Sequence, residues 1–73
     1  MENNYRIKYL RRGEWTYAAD KNGETLKFDY KSDARRYMNH ARDYDQNNPV
    51  TFMERVDICL FEGDKFVEVV ERY

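Results

Sequence analysis

The sequence predicts a small α+β domain, an antiparallel sheet with one helix packed on one face, in the order β-β-β-α-β-β. Three observations carry that expectation. Two alternating runs between Trp15 and Tyr30 flank the dipeptide Asn22-Gly23. An apolar stripe then recurs at helical spacing from Ala34 to Tyr44, and alternation returns on both sides of Gly63-Asp64. A period of two marks a half-buried strand, and a period near 3.6 marks an amphipathic helix.

The first strand is read from Tyr5, Ile7 and Tyr9, which alternate with Arg6, Lys8 and Leu10. Arg11-Arg12-Gly13 then suits a three-residue loop, a type I turn closed by a left-handed glycine. That loop pairs Tyr9 with Trp15, Ile7 with Tyr17 and Tyr5 with Ala19. Asn22-Gly23 suits a two-residue type I′ turn, whose central positions both need positive φ. It pairs Ala19 with Leu26, Tyr17 with Phe28 and Trp15 with Tyr30. The other face receives Asp20 with Thr25, Ala18 with Lys27 and Thr16 with Asp29. A three-stranded meander over residues 5–30 follows, with Trp15, Tyr17 and Phe28 in the core.

The helix is expected over 32–46. Ser32 can cap its first turn, and Asp33 favours the positive end of the dipole. Ala34, Tyr37, Met38, Ala41 and Tyr44 form its buried stripe, and Asn47-Asn48-Pro49 ends it. A hairpin over 50–72 completes the domain, with Phe52, Val56, Ile58 and Leu60 on one face. A type II′ turn at Gly63-Asp64 sets Leu60 beside Val67 and Ile58 beside Val69. On the opposite face it sets Phe61 beside Phe66 and Asp57 beside Val70.

Seventy-three residues suit one domain, spanning 1–73. A chain this short has a modest core, which seven Tyr, four Phe and one Trp can enrich. The net charge is −1, which speaks against a polybasic nucleic-acid arm or an acidic tail. The charge is uneven. Residues 1–48 hold ten basic and eight acidic side chains, net +2, and residues 49–73 hold three and six, net −3. No apolar run approaches the ~18 residues needed to span a bilayer. The polar N-terminus does not read as a secretory signal. A cytoplasmic protein with no membrane association is expected.

Catalytic equipment is sparse. His40, Cys59 and Ser32 are each the only residue of their type, so no His/Cys cluster exists to bind metal. Cys59 falls mid-strand, where a thiol acts as a small hydrophobe. Glu54 and Asp57 fall on opposite strand faces, and the three glycines sit in turns. The chain reads as a non-enzyme without metal or cofactor.

Binding is the remaining class. Phe61, Phe66 and Val70 are expected to form an apolar patch on the side away from the helix. Glu62, Asp64, Glu68 and Glu71 surround it and suit a basic groove on a protein partner. Homodimerisation through the same patch would enlarge the core. The alternative is nucleic-acid binding by the basic outer face of the meander, through Arg6, Lys8, Arg11, Arg12 and Lys27. Trp15-x-Tyr17, the Asn22-Gly23 turn, Phe28 and the Ser32-Asp33-Ala34 helix start resemble the arm-type DNA-binding domains of phage integrases. That resemblance covers roughly residues 5–45 and implies a sheet that reads DNA, although Asp20 and Asp29 stand on the face that would meet phosphate. A third reading is an oligomeric small-ligand sponge, with Tyr5, Tyr9, Tyr17, Tyr30 and Tyr37 converging between sheet and helix.

In shortness, high charge and abundant tyrosine the whole chain is similar to small phage and mobile-element accessory proteins, anti-CRISPR inhibitors among them. The resemblance implies an inhibitor of a host defence or nucleic-acid-handling complex that acts by occupying a surface. A protein partner is therefore expected ahead of direct nucleic-acid contact.

Overall fold

The computed structural model describes residues 2–46 and 55–72, with side chains for all of these except 41–46. Four strands and one helix follow in chain order. They are β1 (Asn3–Arg11), β2 (Glu14–Tyr17), α1 (Lys31–Gln46), β3 (Arg55–Glu62) and β4 (Lys65–Arg72). The strands form one antiparallel sheet in the order β2-β1-β3-β4. The small α+β fold expected from the alternation is present, with β1 and β3 at the centre of the sheet. Expected features at Asn47-Asn48-Pro49, Phe52 and Glu54, and the side chains of Ala41 and Tyr44, lie outside the described residues.

Both loops of the expected meander differ from the sequence reading by one residue, in opposite directions. Between β1 and β2 the ladder runs on to Arg11 opposite Glu14, leaving only Arg12 and Gly13 in the loop. Both have positive φ, +53° and +78°, as a type I′ turn requires. Its twist matches that of the flanking strands, and β1 keeps one more ladder pair than the three-residue loop would allow. Leu10 therefore faces Trp15, and Lys8 faces Tyr17.

The second loop is longer than Asn22-Gly23 alone. Only Gly23 has positive φ there, and its N–H donates to the Asp20 carbonyl at 3.0 Å. The Asp20 N–H donates to the Glu24 carbonyl at 2.8 Å. The Asp20 carboxylate also accepts from the backbone N–H of Asn22 and of Glu24, at 2.8 and 3.0 Å. An aspartate able to satisfy two turn donors favours this form, a type I turn closed by left-handed Gly23. Ala19 consequently bridges Thr25 rather than Leu26.

The expected third strand is reduced to isolated bridges. After the turn the chain returns to the exposed edge of β1, where Phe28 and Tyr5 exchange two backbone hydrogen bonds at 2.8 and 2.9 Å. Leu26 and Phe28 still pack against the core, as their alternation predicts. Ala18, expected on the polar face, is buried there too.

The core lies between α1 and the central strands, where Ala34 and Met38 meet Ile7, Val56 and Ile58. Tyr37 rests its ring on Phe28, centroids 5.7 Å apart. The helix begins one residue earlier than expected. The Tyr30 carbonyl accepts from Asp33 and Ala34, so Tyr30 occupies the cap and Ser32 lies inside the first turn. Asp33 stands in that turn, beside the positive end of the dipole.

The β3–β4 turn has the expected length, with Glu62 opposite Lys65 and Gly63 at φ +61°. Phe61 faces Phe66, also as expected. Beyond it, β4 carries two bulges, so Leu60 meets Glu68, Cys59 meets Val69 and Ile58 meets Glu71. Each bulge sets two residues of β4 against one of β3. Val69 thereby shares a register with Cys59, and Val70 packs on the core.

Candidate functional site

Residues directly opposite on paired strands project to the same side, so the register defines the face away from α1. Across β2, β1, β3 and β4 it carries Trp15 and Tyr17; Asn4, Arg6, Lys8 and Leu10; Arg55, Asp57, Cys59 and Phe61; then Phe66, Val69 and Arg72. The two-residue loop at Arg12-Gly13 is what places Trp15 and Tyr17 beside the cations of β1.

Cations and rings are interleaved on this face. The Lys8 ammonium lies 4.8 Å from the Trp15 ring centroid and 5.8 Å from that of Phe66. The Arg55 guanidinium is 5.5 Å from Trp15, and that of Arg6 is 4.1 Å from Phe61. Phe61 takes Tyr17 and Phe66 edge to face, at 5.7 and 5.8 Å. Phe61 is only 5% exposed, whereas Trp15, Tyr17 and Phe66 are 43%, 37% and 46% exposed. Trp15 and Tyr17, expected in the core, are therefore surface rings.

Beneath them lie Cys59 and Asp57. Cys59 is fully buried, and that burial raises its thiol pKa, with Asp57 adding to the rise and Lys8 opposing it. Partial burial against the sheet also raises the Tyr17 phenol, reinforced by Cys59 and opposed by Arg6. Asp57 is 2% exposed, and its Oδ1 has no hydrogen-bond partner. An Arg55 guanidinium nitrogen stands 3.8 Å from that oxygen.

The five basic residues expected to act together are divided. Arg6 and Lys8 lie on this face. Arg6 is held: its guanidinium donates to Asp64 at 2.8 Å, to the Gly63 carbonyl at 3.0 Å and to Asn4 at 2.9 Å. Asn4 donates to the same Gly63 carbonyl at 2.8 Å. This clasp ties the β3–β4 turn to β1, and it holds the Asp64 carboxyl below its ordinary range, helped by the nearby Lys27 charge. Arg11 stacks over Tyr9, 5.1 Å from its centroid. Arg12 is at the loop tip, and Lys27 approaches Asp64 at 3.7 Å.

The acidic-apolar patch is also dispersed. Phe66 is exposed, but Phe61 is buried and Val70 belongs to the helix side. Glu71 receives a two-pronged contact from Arg35 at 2.7–3.2 Å and lies 3.7 Å from Lys31. Glu62 and Glu68 are exposed. The tyrosines do not line one cleft: Tyr5 and Tyr9 pack on the core, Tyr17 faces the opposite way and Tyr30 is exposed.

Trp15 and Arg55 are not anticipated as site residues, and Tyr17 is anticipated only among the tyrosines between sheet and helix, not on this face. Their signal was present, since shortening one loop by a residue transfers Trp15 and Tyr17 to the face of Arg6 and Lys8. Asp20 and Asp29, which weighed against a phosphate-binding face, are placed elsewhere. Asp20 is bound into its turn. Asp29 lines a shallow cleft with Glu2, Asn3, Asn4, Lys27, Gly63 and Asp64, near the Asn4 end of β1. Leu10, opposite Trp15, is six residues further on, about 20 Å along the strand.

Among the described residues no group of His, Cys, Asp and Glu is arranged to hold a metal ion, and no helix is long and apolar enough to cross a membrane. Family models, curated proteins and solved structures all return no match to this chain.

Proposed function

We propose that this chain is a non-enzymatic binding domain that takes single-stranded nucleic acid on the sheet face away from α1. One observation carries the reading: three exposed rings, Trp15, Tyr17 and Phe66, share that face with Lys8 and Arg55. Unpaired bases stack on such rings, and neighbouring cations hold the backbone. A duplex hides its base faces, so a stacking platform favours single strands. The net charge of −1 does not oppose this, because the face carries Lys8, Arg55 and Arg72 against Asp57, while Arg6 is already paired with Asp64.

Trp15 is the only tryptophan, so its fluorescence reports stacking directly. A mixed-sequence 12-nucleotide single strand should quench it. If Lys8, Arg55 and Arg72 each meet a phosphate, log affinity should fall with log salt at a slope of about −2. Anisotropy of a labelled strand should show weaker binding for Trp15→Ala and Lys8→Ala. Absence of binding at ~50 mM salt, or equal binding by both variants, would sink the reading.

A protein partner is the second reading. It is favoured by Phe66 and Val67, adjacent on the edge strand and both well exposed, since exposed aromatic and arginine clusters anchor interfaces. Under it the chain would act by surface occupation, as the similarity to small anti-defence inhibitors implies. A partner that binds wild type and Phe66→Ser alike would exclude this face.

A further inference from the structure

Resting on that reading, we infer that Asp57 selects among bases, favouring those with exocyclic amino donors, such as cytosine, over uracil and thymine. An ionised carboxylate only accepts hydrogen bonds, and a buried acceptor without a donor is an unfavourable state. The Oδ1 of Asp57 is in that state at the centre of the cation-aromatic face. Its nearest cation, Arg55, stands at 3.8 Å, beyond hydrogen-bond range. Lys8 lies directly across the ladder, yet its ammonium is directed to the rings of Trp15 and Phe66.

Arg55 links the two parts of the site. Its guanidinium is 5.5 Å from the Trp15 ring as well as close to Asp57. When Arg55 turns outward to a phosphate, it leaves the Trp15 ring and the Asp57 oxygen together. A base that then stacks on Trp15 brings its edge toward Asp57. Cytosine offers an N4 amino group, the usual donor to Asp or Glu. Uracil and thymine carry their one imide N–H between two carbonyl oxygens, which repel a carboxylate.

The test compares ten-nucleotide homopolymers of deoxycytidine and deoxyuridine at neutral pH and ~50 mM salt. Wild type should bind the cytosine strand about tenfold more tightly, the scale of one good base-edge contact. A strand of N4,N4-dimethylcytosine, which keeps the ring but lacks the donors, should lose that advantage. Asp57→Asn, with its fold checked by circular dichroism, should bind the cytosine and uracil strands alike. Equal wild-type affinity for the two, or a preference that survives dimethylation, overturns the inference and leaves the stacking reading standing. Failure of every strand to bind overturns both.

Discussion

The loop at Arg12-Gly13 decides which rings reach the surface, and Gly13→Ala probes it directly. Gly13 has φ +78° and Arg12 φ +53°. An alanine at Gly13 must adopt the left-handed conformation, at a cost of about 1–2 kcal/mol. A Cβ built there meets nothing within 4 Å, so no clash adds to that cost. Alanine also restricts the unfolded chain, which returns about 0.4–1 kcal/mol. The net expectation is a destabilisation of about 1 kcal/mol, seen as a Tm lowered by about 4–8 °C in a domain of this size. Arg12→Asn should do the reverse or nothing, because asparagine tolerates the left-handed region. Thermal unfolding followed by circular dichroism measures both. An insertion of one glycine after Arg12 goes further, because a one-residue slip turns a strand over. It should remove Trp15 from Lys8 and abolish quenching by oligonucleotide. If Gly13→Ala melts with wild type, the turn is not of this type and the placement of Trp15 loses its basis.

Three other outcomes follow from the same geometry. Ile58 is fully buried beneath α1, so Ile58→Ala should cost about 2–5 kcal/mol; urea unfolding at the wild-type midpoint would contradict the core assignment. Asp64 has its pKa held below 3.8 by the Arg6 hydrogen bond and by Lys27. Its contribution is therefore complete above the unfolded value and is lost as pH falls through the lower folded one. Asp64→Asn should flatten acid destabilisation below about pH 4, and wild-type and variant curves of one shape between pH 5 and 2 would refute the clasp. The Cys59 thiol, buried and raised in pKa, should label with a disulfide reagent only when the domain opens. Labelling of the native protein as fast as of the urea-unfolded chain would show that the thiol is accessible.

Much of the fold is legible because it rests on local periods. Tyr5, Ile7 and Tyr9 announce β1, Ala34 and Met38 announce the buried helix face, and Glu62-Gly63-Asp64-Lys65 announces a two-residue turn with Phe61 opposite Phe66. The departures come from interactions that period does not encode. Asp20 offers its carboxylate to two backbone N–H groups, which lengthens a turn that Asn22-Gly23 alone would close more tightly. The bulges of β4 keep Phe66 opposite Phe61 but move Val69 to the face of Cys59 and Val70 to the helix side, registers that alternation cannot assign. The candidate site was legible only in pieces. Arg6 and Lys8 were visible as an outer basic face, while the rings beside them depended on loop length.

The width of the helix explains why the shorter loop is preferred. A helix is about 10–12 Å across and strands are spaced about 4.8 Å apart, so one helix covers roughly two strands. Here α1 lies over β1 and β3, which leaves β2 beyond its edge. Had the three-residue loop formed, Trp15 and Tyr17 would project from β2 on the helix side, with α1 out of reach. Leu26 and Phe28 already pack against the core on that side. On the other face, Trp15 meets the Lys8 ammonium and the Arg55 guanidinium, and Tyr17 meets Phe61. Cation-ring contacts of this kind contribute about 0.5–1 kcal/mol each when exposed. That is enough to offset an arginine in the left-handed region at position 12. The surface rings are thus a consequence of a four-stranded sheet of which α1 covers the two central strands, and the same constraint creates the platform that a stacked base can use.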